Sequence, residues 1–125
     1  MQSNKNKILI VEDENIIALD IKTRLTKLGY LVTEIVNSGE KAVEAALKLK
    51  PDLILMDISL KGKMSGIDAG IEICKYISVP IIYLTAFFDV HILLNCADCK
   101  LYYDYIIKPF DPIDLKNKIQ SALAA

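Results

Sequence analysis

Four short stretches of this chain carry apolar residues at consecutive positions: Lys7-Ile-Leu-Ile-Val11, Asp52-Leu-Ile-Leu-Met56, Pro80-Ile-Ile-Tyr-Leu84 and Asp104-Tyr-Ile-Ile107. A strand with one face in water alternates apolar with polar residues. An unbroken run therefore means that both faces are covered, as in a parallel sheet held between two layers of helices. A fifth segment, Leu31 to Val36, is more mixed and belongs at an edge of such a sheet. Between the runs lie segments of helical spacing: Ile16 to Leu28, with Ile17, Ile21, Leu25 and Leu28 on one stripe, and Gly39 to Lys50, with Val43, Ala46 and Leu47. Ile67 to Tyr76, Asp89 to Ala97 and Pro112 to Leu123 complete five strand and helix pairs. Gly29 is expected as a left-handed cap after the first helix, Ser38 and Asp111 as N-caps, and Pro51 as the stop of the second helix.

Alternation of strand and helix, five times in 125 residues, specifies a doubly wound α/β sandwich with right-handed crossovers. For five strands the flavodoxin-like order 2-1-3-4-5 is the expected arrangement, with ligands bound outside the carboxyl ends of the strands. The length suits one domain over residues 1–125, with residues 1–6 as a polar tail. Fifteen basic against 16 acidic residues leave a net charge of −1 and no basic stripe, so nothing points to nucleic acid. The longest apolar run, Ile81 to Phe88, is broken by Thr85 and is far short of the ~20 residues of a bilayer-spanning helix, so no membrane insertion is expected. The polar amino terminus does not read as a signal peptide, and a cytoplasmic location is expected. Cys74, Cys96 and Cys99 are expected as reduced, largely buried thiols, because so apolar a chain is not a disulfide scaffold.

Each central run ends in a polar group: Glu12 and Asp13 after the first, Asp57 after the third, Thr85 after the fourth and Lys108 after the fifth. In a parallel sheet these ends share one edge, with neighbouring strands ~4.8 Å apart, so residues distant in the chain converge on one cleft. Carboxylates crowded there repel unless a cation sits among them, and oxygen ligands alone favour magnesium or a similar hard ion. Glu12, Asp13 and Asp57 are the expected metal site. Magnesium usually binds through one or two carboxylates plus a phosphate, so an incompletely caged ion points to a phosphoryl ligand. Lys108 supplies a positive charge and Thr85 a hydroxyl donor for its peripheral oxygens, and Asp57 is the best-placed nucleophile for an acyl phosphate.

The motifs Ile10-Val-Glu-Asp-Glu14, Pro51-Asp-Leu-Ile-Leu-Met-Asp57, Val79-Pro-Ile-Ile-Tyr-Leu-Thr-Ala86 and Tyr105-Ile-Ile-Lys-Pro-Phe110, in this order and spacing, resemble the receiver domain of two-component response regulators, the CheY-like family. The resemblance covers essentially the whole chain. It implies that Asp57 is the phosphoacceptor, and that Glu12, Asp13, Asp57 and the backbone carbonyl of Ser59 hold Mg2+. It further implies that Thr85 is the switch hydroxyl, Tyr105 the aromatic whose rotamer follows it, Lys108 the phosphate contact and Lys108-Pro109 a cis bond. The stretch Met56 to Gly66 is one residue longer than in the single-domain chemotaxis protein and resembles receivers attached to sensor histidine kinases. It carries Lys61 where many members have proline and Ser65 where many have an acid, which makes its docking surface atypical.

By this resemblance the chain is a regulatory phosphoacceptor domain that assists its own phosphotransfer and dephosphorylation, and not an enzyme in the usual sense. Its implied partners are a sensor histidine kinase or a phosphotransfer protein, and a downstream effector or attached output domain. The output surface is the fourth helix, fifth strand and fifth helix. Phe87, Phe88, Val90, Ile92, Leu93 and Leu94 are too many for one core stripe, so some are expected to stay exposed there as a homodimer or partner interface. Phe87, two residues past Thr85, is expected to shield an acyl phosphate and slow its loss. Two other readings stay open: a receiver-shaped interaction module that is never phosphorylated, and a magnesium-dependent phosphohydrolase with an aspartyl intermediate. Ser59 weakens the latter, because it stands where such an enzyme often carries its second carboxylate. The helix N-terminal pair Cys-X-X-Cys chemistry is not expected of Cys96 and Cys99, and a flavin phosphate is disfavoured by the acidic loop Glu12 to Asn15. The chain is expected to be either a stand-alone receiver or one part of a larger protein.

Overall fold

A computed structural model describes residues 6–86, 89–94 and 103–124. Five strands, β1 (Lys7–Val11), β2 (Leu31–Val36), β3 (Leu53–Asp57), β4 (Ile81–Thr85) and β5 (Tyr103–Ile107), alternate with five helices, α1 (Asn15–Lys27), α2 (Gly39–Leu49), α3 (Gly66–Cys74), α4 (Val90–Leu94) and α5 (Pro112–Ala124). All neighbouring strands are parallel and the order is β2-β1-β3-β4-β5. This is the expected doubly wound, CheY-like sheet.

The unbroken apolar runs follow from a sheet covered on both sides. Alternate residues of a strand point to opposite faces. Leu9, Val11, Ile54, Met56, Ile81 and Tyr83 enter one core with Ala42, Ala46, Ala69, Ile73 and Leu93. Ile8, Ile10, Leu53, Leu55, Ile82, Leu84 and Ile106 enter the other with Ile21, Leu25, Leu115 and Ile119. Thus α2, α3 and α4 cover one face, while α1 and α5 cover the other.

The helix ends fix where the strand ends open. Gly29, at φ +95°, ends α1; its N–H donates to the Thr26 carbonyl and that of Tyr30 to the Leu25 carbonyl, the paired bonds of a Schellman cap. Ser38 Oγ accepts from Lys41 N at 3.1 Å, and Asp111 Oδ1 accepts from Ile113 N at 3.0 Å, so both expected N-caps are present. Ser65 caps α3 in a reciprocal capping box with Asp68, a role that explains a hydroxyl at this position. Lys50, left-handed at φ 48°, closes α2 just before Pro51.

Asp57 and Thr85 close β3 and β4, at the strand ends as expected. Two expectations are corrected. Leu28 is 40% exposed: it is the cap residue of α1, one turn past Leu25, the last buried residue of that helix. The fifth run is not covered on both sides throughout: β5 is an edge strand, and Ile107 at its end is 37% exposed. Within α4, Leu93 is fully buried and Ile92 is 46% exposed, so the surplus apolar character does reach the surface. Phe87, Phe88, Cys96 and Cys99 lie outside the described residues, as does the side chain of Leu94. Cys74 is a half-buried free thiol. Among the described residues no helix is long and apolar enough to cross a membrane.

Candidate functional site

Parallel pairing places Val11 beside Met56 and Asp57 beside Leu84, so the ends of β1, β3 and β4 lie abreast. Glu12 leaves β1, with its N–H donating to the Val36 carbonyl at 2.9 Å, and its side chain is sealed inside at 1% exposure. Asp57 is 4% exposed and Thr85 1%, whereas Asp13 is half-buried. One carboxylate oxygen from each of Glu12, Asp13 and Asp57 lies within 4.8 Å of the others. The sequence-derived trio is therefore one cluster.

A cation already faces it. Lys108, delivered by the turn after β5, places Nζ 2.9 Å from Asp57 Oδ2 and 3.1 Å from Glu12 Oε1. Its backbone N–H donates to the Thr85 carbonyl at 2.8 Å, and the following Lys108-Pro109 bond is cis. Burial, followed by the charge of Asp57, pushes the Glu12 carboxyl up to about 7 despite the opposing pull of Lys108. Burial alone lowers the Lys108 pKa, but the hydrogen bond and charge of Asp57, with those of Glu12, outweigh it and leave the ammonium above its ordinary value.

The two oxygens of Asp57 are held differently. Oδ2 takes Lys108, whereas Oδ1 accepts the Ser59 N–H at 3.0 Å. Ser59 Oγ donates to Asp89 Oδ2 at 3.3 Å, and Lys61 N–H donates to Asp13 Oδ2 at 3.2 Å. These two contacts tie the loop after β3 to the loops after β4 and β1. Thr85 Oγ1 donates to the Ala86 carbonyl at 3.1 Å. Tyr105 lies one strand further out and half-buried, so it is a neighbour of the cluster and not a member.

A Lys108→Met change leaves Glu12 and Asp57 facing each other in a buried pocket. We expect it to cost about 3 kcal/mol of folding stability, the ordinary penalty for stranding a buried charge. Urea unfolding in metal-free buffer measures it, and an unchanged midpoint would mean that the lysine holds nothing together.

Carboxylates, a hydroxyl and a lysine gathered at the switch point of a 2-1-3-4-5 parallel sheet define a class of signalling domain. The response regulator receiver domain family matches residues 8–120, and the chain belongs to that family. A probable transcriptional regulator, ycf27, of Cyanidium caldarium is 41% identical over 128 aligned residues, covering 98% of this chain and 50% of that protein. The transcriptional regulatory protein PdtaR of Mycobacterium tuberculosis is 36% identical over 118 residues, covering 94% and 57% respectively. The chain thus spans about half the length of the curated relatives it matches. Among solved structures, the receiver domain of the sensor histidine kinase PA1611 from Pseudomonas aeruginosa superposes with TM-score 0.84 at 34% identity, over 98% of this chain and 100% of that one. That crystal structure has a magnesium ion coordinated in its active-site cleft.

The sequence brought forward Glu12, Asp13, Asp57, Thr85 and Lys108; the fold brings the three carboxylates and the Lys108 ammonium together, and joins Thr85 to Lys108 through its backbone carbonyl. It did not bring forward Asp89 or the Lys61 amide: one is linked to the site across 30 residues and the other across 48, with no periodic signal to mark either.

Proposed function

We propose that this chain is a phosphorylation-controlled switch whose phosphoacceptor is Asp57. The supporting observation is a buried carboxylate with one oxygen held by Lys108 and two further carboxylates within 4.8 Å. A histidine kinase or phosphotransfer protein would present phosphohistidine. An Asp57 oxygen attacks phosphorus, the P–N bond breaks with its electron pair returning to the imidazole, and an aspartyl phosphate forms.

The donor set suits magnesium: hard oxygens only, with a carboxyl at Glu12 whose ordinary ionisation is suppressed by burial and by Asp57. Glu12, Asp13, Asp57 and the Ser59 carbonyl would hold the ion. When bound it supplies positive charge against the incoming phosphoryl oxygens. Lys108 pairs with the phosphoryl group once Asp57 is esterified, and the Thr85 hydroxyl turns to it from the Ala86 carbonyl. The new charge of about −1.5 to −2 is what the switch reads. Tyr105 follows Thr85 inward, and the α4, β5 and α5 surface, including a homodimer contact, passes the change to a downstream effector or attached output domain. The chain acts in the cytoplasm as a regulatory domain, assisting its own phosphorylation and dephosphorylation, with proteins rather than nucleic acid or membrane as its direct partners.

Incubation with acetyl phosphate, with and without Mg2+, followed by intact-mass analysis and peptide mapping, tests this reading. Stable addition of one phosphoryl group at Asp57, lost when the metal is chelated, is expected. Continuous phosphate release would instead make the domain a phosphohydrolase, and no reaction would make it an interaction module.

A further inference from the structure

Around Tyr105 the structure holds an arrangement that none of the motifs contains. On β5, Ile106 packs against α5 residues Leu115 and Ile119, whereas Tyr105 packs against the cluster on the opposite face. Lys118 lies on α5, yet its Nζ stands 5.6 Å from the centre of the Tyr105 ring. A side chain from that helix reaches this ring only around the outer edge of β5. The ring is therefore carried at the edge of the sheet. Asp104 secures both parts: its Oδ1 accepts the Tyr105 N–H at 2.8 Å and Lys118 Nζ at 3.1 Å. Both members of the ion pair are only about one-third exposed, at 28% for Lys118 and 31% for Asp104. The ammonium is thus held over the ring rather than sweeping through water.

We propose that Asp104 and Lys118 form a tether that keeps the Tyr105 ring at the sheet edge and sets the resting balance of the switch. This rests on the reading above, in which the ring moves inward on phosphorylation. The inward move parts the ring from an ammonium that Asp104 holds in place, so the tether favours the resting state. A partly exposed cation and ring contact is worth roughly a two- to fivefold bias in such an equilibrium. The same factor separates the phosphoryl uptake of tethered and untethered protein if uptake proceeds through the inward state.

Lys118→Met keeps the aliphatic stem and removes the charge; Asp104→Asn keeps an acceptor for the Tyr105 N–H and removes the negative charge that pairs with the ammonium; Lys118→Arg retains both contacts. Ring resonances of labelled tyrosine in the unphosphorylated chain report the position of Tyr105. Uptake from acetyl phosphate with Mg2+ reports the consequence. The expected result is an inward-to-outward ratio raised roughly two- to fivefold by Lys118→Met and Asp104→Asn, uptake raised alike, and wild-type behaviour from Lys118→Arg. Folded Lys118→Met and Asp104→Asn proteins with wild-type ring resonances would overturn the tether. The ring measurement needs no phosphoryl group: shifted resonances in a chain that never labels would uphold the tether and sink the phosphoacceptor reading, while normal labelling with unmoved resonances would do the reverse.

Discussion

Asp57→Asn is expected to abolish phosphoryl uptake while leaving the domain folded. The amide occupies nearly the same volume, and its oxygen can accept either the Ser59 N–H or Lys108, which stand 3.0 and 2.9 Å from the native carboxylate. It lacks the negative charge and the nucleophilic oxygen that an acyl phosphate requires. Labelling by acetyl phosphate should fall below detection in intact-mass spectra. Stability should stay within about 1 kcal/mol of the wild type, because the lost ion pair with Lys108 is offset by relief of the repulsion between Asp57 and Glu12. Unfolding curves recorded beside the spectra separate loss of chemistry from loss of fold. Labelling at the wild-type rate would move the acceptor to another carboxylate.

Gly66→Ala is expected to be the most damaging small substitution near the site. Gly66 opens α3 directly behind Asp57, and its N–H donates to the Ile58 carbonyl at 2.9 Å. A methyl group there would overlap the carbonyl oxygen of Asp57, and would stand 2.8 Å from the carbonyl carbon of Asp57 and 3.0 Å from Ile58 Cα. Every one of these atoms is backbone, so no rotamer change relieves the contact. Alanine is the better helix former by about 1 kcal/mol, which sets the two effects against each other. Overpacking against fixed backbone outweighs it, with an expected net loss of about 3 kcal/mol. That corresponds to a fall in Tm of roughly 10 °C for a domain of this size. The strain falls on the end of β3, so acetyl phosphate labelling of the folded fraction should slow as well. A variant as stable as the wild type would mean that α3 can retreat from β3 at little cost.

Some of the molecule was legible in the chain because local chemistry carried the signal. Buried strands such as Leu53–Asp57 announce themselves by apolar residues on both faces, and Ser38, Asp111 and Gly29 by the backbone groups they satisfy. Other features were not legible. Leu28 fits the helical stripe of α1 by spacing, yet it is exposed because the buried part of that stripe ends at Leu25, one turn before the cap. Ile107 fits a buried strand by composition, yet it reaches solvent at the end of an edge strand, with no strand paired beyond β5 among the described residues. Ser65 stood out only as a departure from an expected acid, and its capping box with Asp68 becomes visible once α3 is seen to start at Gly66.

The sequence by itself determined the layered α/β architecture and the set of polar residues at the strand ends, since hydrophobic periodicity and strand direction are enough to send Glu12, Asp13, Asp57, Thr85 and Lys108 to one edge. Tertiary structure alone decided how those groups meet. Lys108 bridges Asp57 and Glu12, Ser59 divides the two oxygens of Asp57 from one another, and Asp104 and Lys118 reach the ring of Tyr105 around the sheet edge. Periodicity reports which face a residue takes. Distances of about 3 Å between side chains on separate elements depend on register, twist and loop path, and these are set only when the whole sheet has closed between its helices.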